Sequence, residues 1–201
     1  MKSLAKILSF IFHPLLLPTF GTVLIVLSNP YWFYGFKTGP FSILAIIIPL
    51  TFGFPVITVL LMKALNFVDD LYLRDQKQRF IPFVAVMIYY FWTFMVLRSQ
   101  QLPTPMLWMM LGSCIAVVFG FITNIVMKIS LHALGMGCLL CVAINAVLIS
   151  YSNMIPLMLI CMLAAGLVGS ARLYLKEHEP QEIYSGYLLG IMGMMIAGWF
   201  Y

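Results

Sequence analysis

The sequence predicts an all-α protein: a polytopic transmembrane bundle of six to seven helices, built as one domain over residues 1–201. Three observations predict it. The chain is 63% hydrophobic and only 8% charged, and its mean hydropathy is +1.05. Soluble domains sit near about 45–50% apolar and about 25% charged, so lipid is the expected solvent for this much apolar surface. The apolar residues fall into separate runs, most of which reach the ~17–25 residues that a membrane helix needs. The charged residues fall in the short stretches between those runs or near the ends of the runs.

Taken in order, the runs cover residues 7–28, 41–65, 81–98, 105–127, 131–150, 155–171 and 183–201. The first follows a short basic start, Met1-Lys2-Ser3-Leu4-Ala5-Lys6. It passes through His13-Pro14 with no small-residue cleavage site, and so reads as a membrane helix and not as a signal peptide. The stretch from Asn29 to Lys37 contains Tyr31, Trp32, Phe33, Tyr34 and Phe36, an aromatic belt of the kind found at membrane interfaces. Cys114, Cys138, Cys141 and Cys161 all lie inside apolar runs with no basic neighbour to lower a thiol pKa. They read as small core residues, not as redox or metal groups.

The formal charge is +5. In a membrane chain such an excess points to anionic headgroups or phosphorylated lipids, and not to nucleic acid. The order of the runs then makes the charge informative. Loops 66–80, 128–130 and 172–182 follow the second, fourth and sixth runs, so all three open on one face, together with the N-terminus. The six acids (Asp69, Asp70, Asp75, Glu177, Glu179 and Glu182) and the three histidines (His13, His132 and His178) belong to that face. Nine of the eleven Lys and Arg residues do too, which by the positive-inside rule makes it cytoplasmic. With the loop cations set aside as ligand-binding groups, Lys2, Lys6 and Lys63 stand against Lys37 and Arg98. The face carrying the chemistry therefore stays open.

The last loop is the richest. It holds Arg172, His178 and Glu182. Ionisable groups beside hydrocarbon are costly and mark functional sites. If residues 178–182 begin the seventh helix, His178 and Glu182 lie one turn apart on one face. A carboxylate on one imidazole nitrogen sets the tautomer and raises the basicity of the other. His178 is therefore a candidate nucleophile toward phosphorus. Arg172 can fork onto phosphate oxygens. In the middle loop Ser130 is a good helix N-cap, and the amides of that helix start form an anion site. His132, in the first turn, can act as a general acid. The first loop brings Arg74, Lys77 and Arg79 to the membrane edge, where they can clamp a phosphate or anchor headgroups. His13, followed by Pro14, either fills a helix interface or lines the cavity.

Together these pieces resemble the type 2 phosphatidic acid phosphatase superfamily. Its signature is Lys-x6-Arg-Pro, then Pro-Ser-Gly-His, then Ser-Arg-x5-His-x3-Asp. The third part is matched by Ala171-Arg172-x5-His178-x3-Glu182, which runs on into Gly186 and Gly190, and the second by Ile129-Ser130-Leu131-His132. The resemblance covers residues 128–190. It implies a core like that of the family, with His178 as phosphohistidine nucleophile, Glu182 as its orienting carboxylate and His132 as general acid. It also implies that Ser130 and Arg172 hold the phosphate. The chain departs from the pattern at Ala171, at Glu182 and at Leu131. In the first motif, Arg74 falls at the Lys position when Pro82 is aligned, but Ile81 stands where Arg is expected, with Arg79 two residues earlier.

The resulting expectation is a metal-independent phosphatase of a phosphorylated lipid, with no cofactor, in a bacterial inner membrane. Its substrate would be a polyprenyl diphosphate, phosphatidic acid or phosphatidylglycerol phosphate. The cation-rich loops favour a diphosphate. Two other readings compete. Asp69, Asp70, Asp75 and the glutamates of the last loop suit Mg²⁺ bridging in a membrane polyprenyl transferase, though their spacing differs from that family's and leaves His178 unused. The substitutions at Ile81, Leu131 and Ala171 suit a lipid-binding or transport protein on a decayed site.

Overall fold

The computed structural model of the chain describes residues 2–34, 40–68 and 77–201, apart from the side chains of residues 40, 41 and 77. Among these residues there are helices and no strand. Six helical segments are long and apolar enough to cross a membrane: Lys2–Ser28, Leu44–Ala64, Phe80–Ser99, Thr104–Val126, Leu131–Ile149 and Ile155–Tyr174.

The first two of these are broken, and proline is the reason. The sequence suggests an unbroken helix from residue 7. Instead α1 (Lys2–Ile11) ends before His13-Pro14, a short 3₁₀ turn follows, and α2 runs over Leu17–Ser28. Pro14 has no N–H to continue the helical ladder. The ring of His13 takes over as a cap, its Nδ1 accepting from the Leu15 amide at 3.4 Å. The second segment comprises α3 (Leu44–Ile48), a π turn over Pro49–Gly53 and α4 (Phe54–Ala64). Pro49 and Pro55 interrupt its hydrogen-bond ladder, and Thr51 Oγ1 donates back to the Ile47 carbonyl at 2.8 Å. The remaining helices are regular: α5 (Phe80–Ser99), α6 (Thr104–Val126), α7 (Leu131–Ile149), α8 (Ile155–Tyr174) and α9 (Pro180–Ala197).

The final helix is less apolar than the other long helices. It opens on Pro180-Gln181-Glu182 and carries three glycines. Its most extensive packing is against α7 and α6. A Cβ at Gly186 would stand 2.8 Å from the Ser130 carbonyl oxygen, and one at Gly193 2.7 Å from the Ala116 amide nitrogen. These glycines let the backbones of α9, α7 and α6 approach closely, as small residues do in membrane bundles. Tyr187 ties α9 to α8 by donating its hydroxyl to the Ala165 carbonyl at 2.6 Å. At the far end, Trp108 Nε1 donates to the Met194 carbonyl at 3.0 Å. Large side chains fill the interior, among them Ile25, Phe33, Leu97, Met110, Met136 and Met194. Leu148, Leu163, Ile88 and Phe10 point outward, as expected of a face that meets lipid.

Three hydrogen bonds gather the polar loops at one end. Arg79 Nη1 donates to the Ile129 carbonyl at 3.3 Å, Lys128 Nζ donates to the Glu177 carbonyl at 2.8 Å, and the Ser130 amide donates to the Glu182 carbonyl at 3.2 Å.

Candidate functional site

The turn between α8 and α9 builds the centre of the site. Arg172 lies in the last turn of α8. The chain then reverses through Lys176, which adopts a left-handed backbone with φ of 55°. Glu179 is the N-cap of α9 and Pro180 its first residue. His178 therefore lies just before the cap, and not inside the helix as a one-turn pairing with Glu182 would have it.

The contact forms nevertheless. Glu182 Oε2 sits 2.5 Å from His178 Nδ1 and also accepts from the Glu179 amide at 3.4 Å. Glu182 is the third residue of the helix and completes a capping box with Glu179. One carboxylate thus closes the helix start and holds the imidazole. Nδ1–H faces the carboxylate, which leaves Nε2 as the nitrogen with a lone pair for chemistry. The side chain of His178 is only 3% exposed. Burial, and then the positive charges of Arg172, Lys128 and Arg79, push its pKa well below the usual imidazole value. The ring is neutral at pH 7, the state a nucleophile needs.

Arg172, His132, Arg79 and His13 line the same cavity as His178. Arg172 Nη2 is 3.9 Å from Glu177 Oε2. Its Nε is buried and meets no acceptor among the described residues. Such a donor is costly unless something pairs with it, and a phosphate oxygen is a fitting acceptor. Arg79 is buried and reaches from the start of α5 to the α6–α7 turn. His132 places Nε2 3.0 Å from the Ser9 carbonyl oxygen on α1. Its ring meets that of His13 edge-on, with centroids 5.8 Å apart.

Ser130 stands apart from this group. It is fully buried, and its Oγ accepts from the Ala133 amide at 3.4 Å. It caps α7 and lies outside the cavity lining. Leu131, at the departure from the glycine of the family motif, does line the cavity. Ser170, the neighbour of Ala171, is exposed on α8. Arg74, Asp69, Asp70 and Asp75 lie outside the described residues, as does the side chain of Lys77.

His13 joins the site through a feature visible in the sequence only as a His-Pro pair in mid-run. The helix break at Pro14 turns the His13 ring toward His132. Lys6 and Ser9 of α1 line the cavity as well, so the first helix forms one wall of the site.

The fold and site thus define a helical protein with six segments long and apolar enough to cross a membrane, and with a buried histidine, carboxylate and arginine cluster at one end of the bundle. Comparison with protein-family models, with curated proteins and with solved structures finds no match in any of the three.

Proposed function

We propose that this protein is a metal-independent phosphatase of a phosphorylated lipid, acting through a phosphohistidine on His178. One observation carries the reading. A buried, neutral imidazole is held at Nδ1 by Glu182 and opens on a cavity that also presents Arg172, Arg79 and His132.

The steps follow from that arrangement. Arg172 and Arg79 hold the non-bridging oxygens of the phosphoryl group, where their charge stabilises the crowded transition state. His178 Nε2 attacks phosphorus in line, and the bond from phosphorus to the leaving oxygen breaks with its electron pair on that oxygen. His132, protonated once the bound phosphate offsets the charge of Arg172, gives a proton to the leaving oxygen. The Ser9 carbonyl retains the Nε2 proton of His132, so Nδ1 is the nitrogen that exchanges. Glu182 stabilises the positive charge that grows on His178. In the second half a water attacks phosphorus, His132 takes its proton, and the bond from Nε2 to phosphorus breaks to release inorganic phosphate. Ser130 contributes by holding the start of α7, where His132 is mounted.

The test is phosphate release by the purified protein from polyprenyl diphosphate, phosphatidic acid and phosphatidylglycerol phosphate, in the presence of chelator and beside His178→Ala. Release that persists in chelator and is lost in the variant is expected. Folded protein that releases no phosphate from any of these lipids would sink the reading. Release that requires added Mg²⁺ would favour the prenyl-transfer alternative, whose acids at 69, 70 and 75 lie on the first loop. Binding of these lipids without turnover would favour the lipid carrier.

A further inference from the structure

The cavity continues far beyond the phosphate site. Its volume is about 990 Å³. Along α7 its lining runs from His132 to Val142, about 15 Å at ~1.5 Å rise per residue. That is roughly half of a ~30 Å hydrocarbon core. The charged groups stay at the mouth, while the inner walls carry Phe83, Tyr90, Met109, Cys138 and Val142, with Ser113 on α6 between them.

We infer that this inner chamber holds the hydrocarbon of a single-chain isoprenoid diphosphate of about 15–20 carbons, which rests on the phosphatase reading of the same site. Three features select that class. The first is charge: the mouth presents Arg79, Arg172 and Lys6 against the carboxylate of Glu177, an excess of cations that suits a multiply charged headgroup. The second is size. At roughly 30 Å³ per small unit, the share of one water in the liquid, the chamber and mouth take on the order of thirty non-hydrogen atoms. An isoprenoid diphosphate of about 20 carbons matches that count, while a two-chain phospholipid or a chain of about 55 carbons would leave much of its hydrocarbon outside. The third is the lining. Aromatic rings and sulfur atoms make favourable contacts with π systems, and an isoprenoid carries a double bond in every unit where a saturated acyl chain has none.

Ser113 and Val142 then set how long a chain is accepted. Both are buried, and among the described residues the Ser113 hydroxyl bonds within its own helix, to the Met109 carbonyl at 2.9 Å. A bulky residue at either position shortens the chamber while leaving the mouth intact. The experiment uses full-length protein in nanodiscs, with geranyl, farnesyl, geranylgeranyl and undecaprenyl diphosphates and phosphatidic acid. It compares wild type with Ser113→Phe and Val142→Phe, each checked for folding by thermal unfolding. Wild type is expected to favour the farnesyl and geranylgeranyl compounds over the undecaprenyl compound and phosphatidic acid by about tenfold or more in kcat/KM. At least one folded variant should lose about tenfold on the geranylgeranyl compound and stay within about twofold on the geranyl compound. Equal turnover of all chains, or an equal loss on all of them in both variants, overturns the inference. Protection against unfolding by geranylgeranyl thiodiphosphate, which resists hydrolysis, separates the two claims. Protection lost in Ser113→Phe, without phosphate release from any substrate, leaves the chamber standing and removes the phosphatase reading. No protection and no turnover with any chain removes the chamber as well.

Discussion

Burial and three nearby cations hold the His178 imidazole neutral, and this has a readable consequence. A histidine usually protonates near about 6.5. A lowered pKa means that the neutral, nucleophilic form persists as pH falls through that value and is lost only further into acid. The His178 imidazole resonance in the ligand-free protein should therefore show its titration midpoint clearly below 6.5; a midpoint at or above it would contradict the account. Glu182 has two separable duties, because its carboxylate serves both the imidazole and the helix cap. Glu182→Gln keeps a side chain that can complete a capping box but removes the charge that steadies a cationic imidazole. Its melting temperature should stay near that of wild type while phosphoenzyme formation falls on the order of 10²-fold or more. Glu182→Ala should lose the same activity and in addition about 1 kcal/mol of stability with the cap. The capping box also explains why a glutamate stands here: the side chain must reach back over its own helix start.

The element that positions all of this is α9. His178 and Glu182 meet the start of α7 only because α9 lies close along α7, and Gly186 and Gly190 permit that approach. A methyl group at Gly190 would run into the Leu134 carbonyl oxygen, which belongs to helix backbone and cannot turn away. Gly190→Ala should destabilise by about 1–3 kcal/mol, as overpacking does. It should also lower activity, because the Ser130 to Glu182 backbone bond must stretch. Gly166 supplies the control, since a methyl group there meets nothing within 4 Å among the described residues. Gly166→Ala should leave activity unchanged and stabilise by about 0.5–1 kcal/mol through the better helix former. Thermal unfolding of the two variants in one detergent compares them directly. Equal effects would mean that α7 and α9 are not held in close backbone contact.

At the scale of the molecule, hydrophobic run length marked the helices well, because the apolar length of a run is itself the physical requirement. The breaks at Pro14 and Pro49 were harder to read, since a proline in mid-run either kinks a membrane helix or ends it, and packing decides which. His132, Arg172 and His178 could be grouped from loop order and spacing. His13 could not be added to them, because its place depends on how the helix breaks. The cap duty of Ser130 likewise emerges only once α7 has a defined start. Chain direction yields one more consequence. The N-terminal helix reaches the site end, where the Ser9 carbonyl meets His132. The α9 helix starts at that end and runs away from it, so that Met194 meets Trp108 near the beginning of α6. Its span, Pro180–Ala197, is about 27 Å long at ~1.5 Å per residue, close to a ~30 Å hydrocarbon core. Although α9 is the least apolar of the long helices, it packs one face on α6 and α7, and its exposed face carries Leu188, Met192 and Met195, which suit lipid. The two ends of the chain should therefore lie on opposite sides of the membrane. Ser3→Cys and Trp199→Cys, each placed in a background without the four native cysteines, report this through labelling by an impermeant maleimide in sealed vesicles of one orientation. Both positions are exposed at the ends of the bundle. One should label from outside and the other only after the vesicles are opened. Labelling of both from the same side would mean that α9 does not cross, and the site would then have to be built on a helix that turns back within the membrane.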